Sequence, residues 1–279
     1  MHRNENLDLK RTIRKVFKRS SFQESHTYAN YEAALKDCSS NAYQNEELCN
    51  MIADKTVIYK QELLKEPYVL NPASLILSSS LNYLITNHSL NEVSIADFGG
   101  ASGAHYYDVR RLIPEAVKLK WIVVETEQMV KSALSRELDS TELSFVNAIE
   151  SLEDSVDLVY SSSTLQYVPE PYKTLEKLLN LRPKWALFNR MVFNLGDSDV
   201  VTIQSSSMSD NGPGKMPQNY TDKKILYPHT LISLGKFKQQ METSGYRQQW
   251  SVEEYSGMIG RRDGTTIGLA TLYKSQKQL

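Results

Sequence analysis

From about residue 73 onward, short apolar runs alternate with stretches whose apolar positions recur at helical spacing. Residues 73–87 read as a helix that leads into an apolar strand over 93–98, a glycine turn and a helix over 105–112. Further strands are expected at 121–124, 144–146, 156–160 and 185–188, with helices at 128–138 and 172–181 between them. Strands and helices that alternate at this spacing call for a parallel sheet covered on both faces. A helix over 235–243 stops at Gly245, and strands at 246–252 and 265–273 follow with no helix between them, so they should pair antiparallel. The expected fold is α/β and Rossmann-like, a doubly wound, mostly parallel seven-stranded sheet with a C-terminal antiparallel hairpin.

Two regions stand outside this alternation. Residues 27–65 carry apolar positions spaced for two or three helices, so residues 1–70 read as an N-terminal helical cap on a domain of residues 71–279. Between the fifth strand and the next helix, residues 194–231 form an unusually long segment with Gly196, Gly212-Pro213-Gly214 and Pro217 in it, which predicts a loop that is either a functional lid or a mobile segment.

Composition limits the partners. With 32 Lys and Arg against 33 Asp and Glu, the chain has a net charge of -1, which argues against a chain-wide attraction to nucleic acid. The first 19 residues are the exception, with seven basic and two acidic side chains. Residues 7–18 there read either as a frayed, solvated terminus or as a basic amphipathic helix that touches an anionic lipid surface. No apolar run is long enough to span a membrane, and two cysteines, Cys38 and Cys49, suit a reducing compartment. The expected location is the cytoplasm, with peripheral contact at the inner face of the membrane if that helix forms. The five histidines form no metal-binding spacing, so no metal is expected, and the oligomeric state is not legible.

The chemistry concentrates in Ala96-Asp97-Phe98-Gly99-Gly100-Ala101-Ser102-Gly103-Ala104-His105. A strand that ends in an acidic residue, followed by small residues and a helix start, makes a loop whose N–H groups can face a ligand beyond the carboxyl edge of the sheet. The next strand ends in Glu125, where a carboxylate can accept hydrogen bonds from both hydroxyls of a ribose. A dinucleotide fingerprint, G-x-G-x-x-G, would need glycine at Phe98, so that register fails at the tight turn.

The spacing Asp97-x-Gly99-x-x-x-Gly103 resembles the first motif of class I S-adenosylmethionine-dependent methyltransferases, with Ala101 where that family often has glycine. An αR or β backbone at Ala101 would tolerate the change. The resemblance spans residues 93–273 and includes Asp157-Leu158-Val159-Tyr160-Ser161-Ser162 and Leu165-Gln166-Tyr167-Val168. More narrowly, His105-Tyr106-Tyr107, Trp121-Ile122-Val123-Val124-Glu125, Asn189-Arg190, Thr202-Ile203-Gln204 and Tyr227-Pro228 resemble a bacterial group of methyltransferases encoded near surface-polysaccharide genes.

The resemblance implies S-adenosylmethionine as cofactor, held by Asp97, Gly99, Gly100, Ala101, Gly103, Glu125, Asn147, Ala148 and Ser161. Asp97 would meet the amino group of the methionine part, directly or through water, or else it merely caps the turn. Tyr106, Ser162, Tyr167, Arg190, Gln204 and Tyr227 are the acceptor-binding candidates, and His105 and His229 are the candidate bases for a hydroxyl acceptor. The implied acceptor is a small molecule or glycan, and a sugar hydroxyl fits the polysaccharide association. Two other readings stay open: a non-catalytic binding module that keeps the fold, and a nicotinamide-dependent oxidoreductase.

Overall fold

The structure, a computed structural model, describes residues 26–38, 42–65, 71–152, 155–254 and 264–276. The basic segment expected at residues 7–18 lies outside the described residues. Among the described residues, nine strands form one sheet: β1 (Glu92–Phe98), β2 (Lys118–Val124), β3 (Leu143–Val146), β4 (Leu158–Ser162), β5 (Trp185–Asn194), β6 (Val200–Ser207), β7 (Lys224–Ser233), β8 (Tyr246–Glu253) and β9 (Thr266–Ser275). The order is β3-β2-β1-β4-β5-β7-β6, with β9 antiparallel to β5 and β8 antiparallel to β9. The first five strands pair parallel, and the chain crosses between them through helices except between β3 and β4, where the described residues hold only the 3-10 turn Ile149–Ser151.

The helices are α1 (Tyr31–Lys36), α2 (Glu46–Glu62), α3 (Pro72–His88), α4 (Ala104–Arg110), α5 (Glu127–Leu134), α6 (Pro171–Asn180) and α7 (Leu234–Thr243). α3 shows how locally the boundaries are set. The Asn71 side chain accepts from Ala73 N–H, Pro72 occupies the first turn where no N–H is needed, and Ser89 closes the helix in the left-handed region.

The sheet is covered on both faces. On one, Leu77, Leu81 and Leu84 of α3 and Val109 of α4 pack against Val93, Ile95, Trp121 and Leu158. On the other, Leu175, Leu178 and Leu179 of α6 and Phe237 and Met241 of α7 pack against Ala96, Val159, Ala186 and Phe188. A third apolar cluster joins Leu48, Met51 and Ile52 of α2 to Met129 of α5 and to Met208, Ile225 and Tyr227.

That third cluster depends on a correction to the sequence reading. Most of residues 194–231 does not form a loop lid. It forms the ordered hairpin β6–β7, paired over Val200–Ser207 with Leu231–Lys224, and Tyr28 bridges to Val201 on its outer edge. The glycines and prolines lie mainly in the long turn between the two strands, and that turn obscured the pattern in the sequence. β5 also runs six residues further than expected, to Asn194. Its extension is what β7 joins, through Phe193↔Ile232 and Asn194↔Ser233. Since β9 takes the opposite edge of β5 along its length, β7 continues the line of β4 beyond the carboxyl end of that strand. The hairpin therefore stands over the edge where a ligand of this fold class binds.

No helix among the described residues is long and apolar enough to cross a membrane. Cys38 and Cys49 are both free thiols.

Candidate functional site

Beyond the carboxyl ends of β1, β2 and β4 lies a cavity of about 660 Å3. Of the residues singled out from the sequence, Gly99, Ala101, Glu125, Asn147, Ala148, Ser162, Tyr167, Arg190, Gln204 and Tyr227 line it.

One side is built by the glycine loop. Gly99 has φ 76°, and a Cβ there would fall 2.0 Å from Thr164 Oγ1, so neither the turn nor the close approach of the β4 loop accepts a larger residue. Gly100 covers the Asp97 carboxylate, which a Cβ would approach to 2.4 Å. Ala101 corrects an expectation: its backbone is left-handed, at φ 49°, a conformation that costs an L-residue free energy and that glycine adopts freely. Gly103, at φ 84°, opens α4.

Glu125 follows β2 and is tied to this loop. One carboxylate oxygen accepts from Ala101 N–H at 3.1 Å and the other from Thr126 N–H at 2.9 Å. Burial pushes its carboxyl pKa up to about 6, against the pull of those two N–H groups. Phe98, Val124 and Ile149 supply apolar surface beside it, with Asn147 and Ala148 after β3.

Asp97 is fully buried and does not line the cavity. Its carboxylate accepts from Trp121 Nε1 at 3.1 Å and meets His105 Nδ1 at 3.0 Å. The direct contact to a methionine amino group expected from the sequence is thus not what this geometry offers, because the carboxylate is covered by Gly100 and engaged by two ring nitrogens. Burial pulls the His105 imidazole pKa down, but the Asp97 charge and hydrogen bond outweigh it, and the net shift is upward. The His105 ring also meets Tyr160 edge-on at 5.1 Å.

Three further expectations need correction. His229 is fully buried within β7, where its ring packs 5.2 Å from Tyr167 and burial lowers its pKa to about 4. It does not line the cavity and has no exposed edge from which to take an acceptor proton. Tyr106 faces the core beside Trp121 and donates to Glu142 Oε2 at 2.9 Å, away from the cavity. Ser161 is buried within β4, one residue short of the cavity edge that Ser162 reaches.

The wall facing the glycine loop was harder to find from sequence. Tyr31, Leu35, Tyr43 and Ile52 come from the N-terminal segment, and Ser206 and Asp210 from the hairpin. Tyr31 donates to Tyr167 O at 2.9 Å, and Thr126 Oγ1 donates to Tyr43 O at 2.9 Å, so the N-terminal segment is bonded to both sides of the cavity. Tyr167 donates to Gln204 Oε1 at 2.8 Å. Tyr167, Gln204 and Tyr227 of this wall are among the candidates read from the sequence, whereas Tyr31, Tyr43, Ser206 and Asp210 are not. Among the described residues, no group of three or more His, Cys, Asp or Glu could hold a metal ion.

No protein-family model matches the chain, and no curated protein matches it. Solved structures do. The CcbJ methyltransferase from Streptomyces caelestis superposes with a TM-score of 0.50 at 10% identity, over 83% of this chain and 99% of that one. An S-adenosylmethionine-dependent methyltransferase from Clostridium acetobutylicum gives 0.47 at 11% identity, over 80% and 98%. CalS10, an amino pentose methyltransferase from Micromonospora echinaspora, gives 0.45 at 11%, over 77% and 96%. At such identities the likeness speaks to fold, and on the first of these superpositions the chain has the mixed α/β Rossmann-like fold of methyltransferases, with a parallel core and an antiparallel hairpin.

Proposed function

We propose that the chain is an S-adenosylmethionine-dependent methyltransferase acting on a small-molecule or glycan acceptor. The observation that carries this reading is the Glu125 carboxylate pinned to the glycine loop at the mouth of a cavity whose far wall is tyrosine-rich. Glu125 retains lone pairs for ribose hydroxyls. The apolar surface of Phe98, Val124 and Ile149 suits an adenine ring, with Asn147 and Ala148 at its edge. The residues present therefore fit this cofactor, and Phe98 at the tight turn does not favour a dinucleotide.

Bound S-adenosylmethionine supplies a methyl group on a positively charged sulfur that leaves as a neutral thioether. The chain's contribution is alignment and exclusion of water, which the bonded N-terminal segment and hairpin serve by enclosing the acceptor side. For a hydroxyl acceptor a base is needed, and with His229 fully buried, His105, whose side chain is 20% exposed but does not line the cavity, is the remaining imidazole candidate. Asp97 on Nδ1 would hold the ring and leave Nε2 to take the proton. We read residues 1–70 as the cap and 71–279 as the catalytic domain. O-methylation of a sugar in surface-polysaccharide biosynthesis is the finer form of the proposal, supported by the resemblance of Asn189-Arg190 and Tyr227-Pro228 described above.

Transfer of labelled methyl from S-adenosylmethionine into a panel of sugars and sugar nucleotides tests the reading. Incorporation that is lost in Glu125→Ala supports it, and cofactor binding with no transfer to any acceptor would favour a non-catalytic module.

A further inference from the structure

Arg190 holds a backbone conformation that a β-strand does not supply. β5 bulges between Phe188 and Met191, and within that bulge Arg190 sits at φ 53°. Left-handed geometry at a non-glycine residue persists only where the surroundings over-determine it. Here they do. The Asn189 side chain accepts from Tyr160 OH at 3.1 Å and donates to Ala73 O at 3.2 Å, its carbonyl accepts from Ser163 N–H at 2.9 Å, and the Arg190 N–H donates to the Glu254 carboxylate. The bulge breaks the strand's alternation and brings the Arg190 side chain into the cavity.

Arg190 is exposed along the cavity wall, and its guanidinium has no direct ion pair among the described residues. The carboxylates that line the cavity are engaged elsewhere: Glu125 on two backbone N–H groups, Asp210 on Ser207 N–H at 3.0 Å, and Glu150 with Lys177 at 2.8 Å, while Glu254, which accepts from the Arg190 N–H, is the acidic group that the Arg190 charge reaches. Its charge acts on the phenols of Tyr43, Tyr160, Tyr167 and Tyr227, on the His105 imidazole and on the Glu254 carboxylate. Tyr167 and Tyr227 stand 5.3 Å apart and Tyr43 and Tyr227 5.9 Å apart. The Tyr43 and Tyr167 hydroxyls are bonded to Asn211 and Gln204, so their rings offer mainly apolar surface.

We propose that the acceptor is an anion: a small ring-bearing molecule whose carboxylate or phosphate is held by Arg190 while its ring lies against the tyrosine wall. A guanidinium carried to the cavity by a strained bulge, with no direct ion pair among the described residues, recognises such a group through charge-assisted, paired hydrogen bonds. This rests on the methyltransferase reading, and the test separates the two.

Protein saturated with S-adenosylhomocysteine is titrated with glucuronate, glucose 1-phosphate and 4-hydroxybenzoate, and with their neutral counterparts glucose and 4-hydroxybenzyl alcohol. At least one charged probe should bind about tenfold or more tighter than its neutral partner. That advantage should vanish in Arg190→Met and persist in part in Arg190→Lys, with affinity for S-adenosylhomocysteine unchanged in both. Equal binding of charged and neutral probes, or binding of none, would overturn the proposal and leave the cofactor reading intact. So would an Arg190→Met protein that loses its preference for S-adenosylhomocysteine over methylthioadenosine, because Arg190 would then hold the cofactor's own carboxylate. Failure of wild-type protein to bind S-adenosylhomocysteine at all would instead remove the underlying reading.

Discussion

The Glu125 carboxylate accepts a hydrogen bond from the Ala101 N–H at 3.1 Å, which joins the end of β2 to the glycine loop after β1. Two chain segments 24 residues apart thereby set one ligand wall. Glu125→Gln should weaken S-adenosylhomocysteine binding by about tenfold, the scale of one charge-assisted hydrogen bond, while leaving the fold intact.

The raised pKa of Glu125, about 6, adds a pH signature with opposite signs for binding and stability. The folded chain holds the proton more tightly than the unfolded one, so this group's contribution to stability is present below the unfolded value and is lost as pH rises through about 6. Cofactor affinity should move the other way, since the carboxylate form accepts from the ribose, and it should fall as pH drops below about 6. Calorimetry and thermal unfolding from pH 4.5 to 7.5, wild type against Glu125→Gln, should show both slopes flattened in the variant.

Ala101 sits at φ 49°, where glycine carries no Cβ penalty. Ala101→Gly should raise unfolding free energy by about 0.5–1 kcal/mol, the left-handed cost less the added freedom of the unfolded chain. Binding should be retained, because the N–H to Glu125 remains. Denaturant unfolding and one titration check both.

Lys55 is 1% exposed, and its Nζ donates to Ser209 O at 2.8 Å and Asn211 O at 2.5 Å, clamping α2 to the turn beside the hairpin. Burial lowers its pKa to about 8. Between about 8 and the ordinary lysine value the unfolded chain binds more protons, so stability should rise with pH in that window, and Lys55→Met should abolish the rise. Lys55→Ala should cost about 2–4 kcal/mol by leaving a void and two buried carbonyls unpaired.

His229 provides a contrast. Being fully buried against Tyr167, its removal in His229→Ala should lower stability by about 1–3 kcal/mol and leave the pH profile of turnover unshifted. In His105→Asn the profile should lose its imidazole limb, a difference that steady-state kinetics resolves.

What the sequence revealed follows from how local each signal is. The β1 loop, Glu125 and the alternating strands rest on short-range patterns, and apart from the six-residue extension of β5 they emerge within a few residues of where they were expected. The hairpin β6–β7 was missed because a long turn containing Gly212-Pro213-Gly214 separates its strands and β6 is half-buried along most of its length, without an in–out alternation. The direction of individual side chains was also hidden. His229, Tyr106 and Asp97 have the right chemistry, yet β7 is buried on both faces around His229, Tyr106 lies on the core side of α4, and Gly100 covers Asp97. Tyr31 and Tyr43 reach the cavity only through tertiary contacts from the N-terminal segment, which no periodicity encodes.

The central claim is that the Glu125-anchored loop holds S-adenosylmethionine, and calorimetric titration tests it most directly. Wild-type protein and Glu125→Ala would each be titrated with S-adenosylmethionine, S-adenosylhomocysteine and NAD. Binding of the two sulfur nucleotides but not NAD, lost in the variant while its unfolding temperature holds, is the predicted result. Preference for NAD, or sulfur-nucleotide binding that survives the loss of Glu125, would contradict it.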